Sequence, residues 1–180
     1  MRAGAIVSGV LRSDDRLLAA SNTLAAVIVG NQPFYPLYVW WIVGDDGYTS
    51  LITFLSTPFF AAVPFVGRVR SVWGRALLPL TGLFNTFVCA KAFGEASGVE
   101  LFIAPCLLIA VLSFRSFERI WAAVIVGISA AASLALHGRY GEPLHVFTSE
   151  QYARYFSMNA YSVALLMLLI TWKFMSSARE

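Results

Sequence analysis

The chain has 180 residues, 58% of them hydrophobic and only 13% charged, with a mean hydropathy of +0.70 and a formal net charge of +3. Soluble globular domains carry about 25% charged residues, so the composition argues against an ordinary soluble domain and for an integral membrane protein. The basic residues stand in short clusters between apolar runs, which argues against nucleic acid as a partner and makes the lipid bilayer the expected one.

The opening stretch MRAGAIVSGVLRSDDR has an apolar run too short for a cleavable signal before Arg12, Asp14, Asp15 and Arg16 interrupt it. Residues 1–17 are expected to be a cytoplasmic segment, either a surface helix with Ile6, Val7, Val10 and Leu11 on one face or a frayed tail. Six apolar runs follow, at 18–43, 48–66, 76–93, 99–114, 120–136 and 155–174. A helix needs roughly 20 residues to cross the hydrocarbon core, so each run is expected to span, the fourth and fifth being short. The predicted fold is therefore all-α: a polytopic bundle of six transmembrane helices over 18–174, with a cytoplasmic tail at 175–180.

Orientation follows from the placement of Lys and Arg. With a cytoplasmic N-terminus, the inner side holds Arg2, Arg12, Arg16, Arg68, Arg70, Arg75, Arg115, Arg119, Lys173 and Arg179, and the outer side only Lys91, Arg139 and Arg154. This bias places both termini in the cytoplasm and the chain in a plasma or inner membrane. The connections GDDGY, GRVRSVWGR, GEASG and RSFER are short enough to force antiparallel hairpins. Only the external loop 137–154 is long; it can cap the outer mouth or run as a solvated connector. No inverted repeat of the transporter kind is visible. Cys89 and Cys106 fall inside apolar runs and are expected to pack as small hydrophobes.

Prolines and buried amides carry the rest of the signal. Pro33 and Pro36, Pro58 and Pro64, Pro79, and Pro105 make four of the six spans candidates for kinks. Asn31, Gln32, Tyr35 and Tyr38 share one short stretch of the first span, Asn85 lies midway along the third, and Asn159 in the outer part of the sixth. A polar group in hydrocarbon needs a partner, so these residues either line a ligand pocket or bond helix to helix. Lys91, Glu95 and Glu100 flank a glycine-bounded turn near the outer interface, where Lys91 can pair with either carboxylate as a hairpin cap or face a ligand. These nine residues form the candidate ligand-binding set.

Catalytic patterns are missing from the sequence: there is no GxSxG, HExxH or P-loop, and the two histidines, His137 and His145, lie in or beside the external loop. No enzymatic activity, cofactor or metal is expected of the chain itself.

The order of elements, with a proline- and aromatic-rich first span, an Arg-rich first cytoplasmic loop, Asn85-Thr86 in the third span, and Phe93-Gly94-Glu95-Ala96-Ser97-Gly98-Val99-Glu100-Leu101-Phe102 before Pro105, is informative. It resembles the six-helix membrane modules at the N-termini of bacterial adenylate cyclases and sensor histidine kinases. The resemblance implies a sensor or anchor that passes a small-molecule or membrane signal to a cytoplasmic cyclase or kinase output domain, as a homodimer. By it, Asn85, Gly94, Glu95, Gly98 and Glu100 are positions for signal response. In that family the sixth helix continues into a linker and a catalytic domain, whereas MSSARE follows Phe174 here, so the output is expected downstream or on a partner. The alternatives are a small transporter or channel subunit, or an anchoring subunit of a membrane complex.

Overall fold

The computed structural model describes residue 9 and residues 11–179, so most of the surface face drawn from Ile6, Val7 and Val10 lies outside the described residues. Helices and short turns make up the described chain, with no strand among these residues. Helix α1 (Arg16–Asn31) starts at Asp15, whose Oδ1 accepts from the backbone N–H of Leu17 at 3.0 Å and Leu18 at 3.4 Å. The cap satisfies donors that the first turn cannot pair internally. Pro33 follows α1 with no N–H to give, and α2 (Phe34–Val43) begins immediately after it. The single kinked helix expected over 18–43 is therefore two helices.

Residues Gly44–Ser56 form a 3-10 helix of 13 residues, far longer than the three or four residues usual for this geometry. Its sequence explains it. Gly47, Ser50, Thr53 and Ser56 recur every third residue, matching three residues per turn, and all four are buried. The hydroxyls of Ser50, Thr53 and Ser56 each donate to the carbonyl three residues earlier, at 2.5, 2.8 and 2.8 Å. Gln32 Nε2 locks the stripe from α1's end, donating to the Thr53 carbonyl at 3.0 Å and Ser56 Oγ at 2.8 Å.

Then come α3 (Thr57–Val69), α4 (Ser71–Phe93), two short 3-10 turns (Glu95–Ser97 and Val99–Phe102), α5 (Ile103–Leu112), a turn at Ser116–Glu118, α6 (Arg119–Leu136) and α7 (Ser149–Arg179). Most prolines do not sit where they would kink a helix. Pro58 and Pro105 fall in the first turns of α3 and α5 and Pro36 in that of α2, where the missing N–H has no partner to lose; only Pro64 and Pro79 lie inside a helix.

Four helical stretches are long and apolar enough to cross a membrane: Phe34–Val69, Ser71–Phe93, Ser116–Leu136 and Ser149–Ser176; Val99–Leu112 is a shorter apolar helix. Successive stretches pack as hairpins, and α4 is the hub, touching α1, α3, α5, α6 and the 3-10 segment. Helix α7 does not return beside α6. It crosses to the other side and packs on α1, α2 and α5, so the connection 137–148 must run over the end of the bundle. The first half of α1 and the C-terminal part of α7 lie at the same end of the bundle, because Ala20 and Leu24 share one core cluster with Ile170 and Phe174. At the opposite end, Val39, Phe93, Val99, Phe147 and Tyr155 form a second cluster beneath the loop.

Candidate functional site

The α4–α5 turn carries two carboxylates, Glu95 and Glu100, at the loop-bearing end. Gly94 and Gly98 both adopt positive φ, 82° and 73°, which L side chains rarely do, and they reverse the chain within five residues. Glu95 and Glu100 are thereby brought to one side of the turn, where the loop after α6 meets them. His137 Nδ1 lies 2.8 Å from Glu100 Oε2 and 3.9 Å from Glu95 Oε1. Tyr140 donates its hydroxyl to Glu100 Oε1 at 2.8 Å, and the Gly138 N–H donates to Glu95. The Glu100 hydrogen bond, followed by the charges of Glu100 and Glu95, holds the His137 imidazole above its ordinary 6.5. Burial, then Glu100, raises the Tyr140 phenol, so it remains a proton donor.

The loop thus caps the bundle end, the first of the two outcomes open from sequence. Leu144 N donates to the Ala92 carbonyl at 3.0 Å, Gln151 Nε2 to the Val43 carbonyl at 2.9 Å, and Phe147 stacks edge-on against Tyr155 with centroids 5.7 Å apart. Lys91 differs from expectation. Its Nζ donates to the Glu142 carbonyl at 2.6 Å, and among the described residues it forms no ion pair with Glu95 or Glu100. The loop lays a carbonyl over the end of α4 beside Lys91 and presents His137 to the carboxylates instead.

The remaining expected site residues divide. Asn159, buried on α7, donates Nδ2 to the Ser97 carbonyl at 2.9 Å and accepts from the Tyr35 hydroxyl at 3.1 Å. One amide therefore joins α2, α7 and the carboxylate-bearing turn. Gln32 is committed to the 3-10 stripe, Asn31 and Tyr38 are exposed, and Asn85 is half-buried with the Cys89 thiol 3.8 Å from its Oδ1. The stretch around Pro33 therefore does not converge on one pocket. A surface groove of about 550 Å³ between α2 and α7, lined by residues such as Trp41, Ala153 and Arg154, includes none of the nine. Glu95, Glu100 and His137 offer ligand atoms within 4.8 Å of one another, and the Tyr140 hydroxyl and the Gly138 N–H already donate to Glu100 Oε1 and Glu95 Oε1. The arrangement is a hydrogen-bonded cluster of two carboxylates and an imidazole.

A second network, which the sequence reading did not single out, lies at the other end. Arg75 is 1% exposed, forms paired 2.7 Å bonds to the two oxygens of Glu118, and donates to the Ser113 carbonyl at 2.6 Å. Its Nε reaches Ser71 Oγ at 3.1 Å, and Ser71 donates to Asp15. Arg115 pairs with Asp15 at 3.2 Å. Partial burial opposes ionisation of Asp15, but the Ser71 hydroxyl and the Arg75 charge outweigh it and hold the carboxyl below its usual 3.8. Five side chains thus tie the start of α1, the start of α4 and the α5–α6 turn together. In sequence Arg75 only ends the connection before the third apolar run; it is the helix, which starts at Ser71, that draws it one turn inside and leaves it in need of a partner.

A model of the family MASE7 matches residues 11–180, nearly the whole chain. The chain belongs to the MASE7 family. MASE domains are membrane-associated sensor modules of cyclases and kinases, in agreement with the resemblance drawn from the turn and the order of spans. No curated protein and no solved structure matches the chain. Within this MASE7 domain, the turn Phe93 to Phe102 that carried the resemblance is the segment that holds the ion cluster and seats on α7.

Proposed function

We propose that this chain is a six-span sensor module with both termini in the cytoplasm, without catalytic activity of its own. It detects a small-molecule or membrane signal at its capped outer end and relays it through α7 to a cytoplasmic cyclase or kinase output, working as a homodimer. One observation carries the reading: the turn that bears Glu95 and Glu100 rests on α7, the helix that leads to the C-terminal end of the chain. Ser97 accepts from Asn159 at 2.9 Å, and a Cβ added at Gly98 would lie 2.5 Å from the Phe156 ring, so the turn cannot move without α7 feeling it. A signal shifts such a coupled pair only by binding its two arrangements with different affinity. The test joins the chain at Glu180 to a cyclase catalytic domain and measures cyclic-nucleotide output in membranes. Glu100→Ala and Asn159→Ala are expected to change output several-fold with unaltered insertion. Unchanged output in both variants would remove the outer-end relay.

A further inference from the structure

Taking the capped end as the receiving end of the module, we infer that the cap is a proton-operated clasp. Imidazolium His137 pins the start of the loop on the two carboxylates of the α4–α5 turn, and loss of its proton loosens that end while Leu144, Phe147 and Lys91 keep the rest of the loop seated, the change reaching α7 through Ser97 and Asn159.

The geometry isolates His137 as the operating group. Glu95 and Glu100 both face its Nδ1, at 3.9 and 2.8 Å, and with a neutral imidazole they confront each other without a cation between them. Of the other groups around the cap, His145 also meets a carboxylate, but a single one, and the rest are engaged differently. From α4, Lys91 donates to the Glu142 carbonyl; from the loop, Tyr140 donates to Glu100, Arg139 is exposed, and His145 sits 3.5 Å from Asp46. From α7, the Tyr152 hydroxyl lies against Gly94. Tyr140 keeps its proton throughout the range in which an imidazole titrates, so its bond to Glu100 does not switch. The folded His137 pKa is raised above 6.5. Its contribution is therefore complete below about 6.5 and is lost as pH rises through the shifted value: the clasp is shut in acid and opens toward alkaline pH.

Transmission uses one face of α7. Tyr152, Phe156 and Asn159 follow at helical spacing, against Gly94, Gly98 and Ser97 respectively, so the whole turn is seated on a single stripe of that helix. Loss of the cation between them lets Glu95 and Glu100 separate, and the turn carries Asn159 with it or breaks its bond.

The test uses the full chain in lipid nanodiscs with EDTA present. The chain has two histidines, and His145→Gln leaves His137 as the sole imidazole signal in an NMR titration. His137 is expected to titrate above 6.5 and to fall back toward 6.5 in Glu100→Gln. In parallel, spin labels at Val69→Cys and Leu168→Cys, both exposed positions, report the distance between α3 and α7. That distance is expected to change over the same pH interval and to be insensitive to pH in His137→Gln and in Asn159→Ala. Titration at or below 6.5, indifference to Glu100→Gln, closure that requires an added divalent cation, or a distance independent of pH would each overturn the clasp. If pH has no effect yet Glu100→Ala still alters cyclase output, the clasp falls and the sensor reading stands.

Discussion

Arg75 is the residue whose loss should be felt most. Its guanidinium is buried, bidentate to Glu118, bonded to the Ser113 carbonyl and 5.6 Å from the centre of the Phe114 ring. Arg75→Leu would leave Glu118 and Asp15, each largely sequestered, without their shared cation, and removing one partner of such a pair typically costs about 3–5 kcal/mol. Thermal unfolding in detergent should show a large drop for Arg75→Leu and a smaller one for Glu118→Gln, which keeps an acceptor for the guanidinium. Equal stability of Arg75→Leu and the parent would mean that the network stabilises nothing. Lysine at this position is not equivalent, because an ammonium cannot make the paired bonds to Glu118 and still reach Ser71.

The helices meet through glycines, and the geometry separates those that matter. A Cβ on Gly74 would lie 2.6 Å from Gly67 Cα and 2.9 Å from the Val63 carbonyl oxygen, all backbone, so α3 and α4 would have to part. A Cβ on Gly67 would meet the Leu18 side chain first, at 2.5 Å, and not backbone, and one on Gly127 would meet nothing within 4 Å. Gly74→Ala should therefore destabilise by about 1–3 kcal/mol, the usual cost of overpacking, whereas Gly127→Ala should be neutral or slightly stabilising. Unfolding midpoints of the two variants decide this, and similar losses in both would refute the close crossing. Sequence alone revealed that helices fill the chain, because uninterrupted apolar runs leave few alternatives. It did not reveal that the stretch after Gly44 winds as a 3-10 helix. That information sits in Gly47, Ser50, Thr53 and Ser56, a small-residue period of three hidden among Leu, Ile and Phe and legible only against the Gln32 amide that bonds it.

At the scale of the molecule, the ion cluster was half legible. Glu95 and Glu100 stood out as charges beside apolar runs, but the expected partner was either Lys91, a neighbour on the same hairpin, or a ligand. The actual partner, His137, becomes adjacent only because α7 returns on the far side of the bundle and drags the loop across the end, a routing that hydropathy does not encode. The same routing bears on orientation. Arg12, Arg16, Arg68, Arg70, Arg75, Arg115 and Arg119 border the end where α1 begins and α7 finishes, while Asp45, Asp46, Glu95, Glu100 and Glu142 border the capped end. Basic residues in short connections are retained on the cytoplasmic side, so the capped end should face outward. Cysteines placed at Arg139 and at Asp14, both exposed, test this against a quiet background, since Cys89 and Cys106 are buried. A membrane-impermeant maleimide should label Arg139→Cys in intact cells and Asp14→Cys only after permeabilisation. The reverse pattern would put the cap in the cytoplasm, where the clasp would sense internal pH and the relay through α7 would have to run outward.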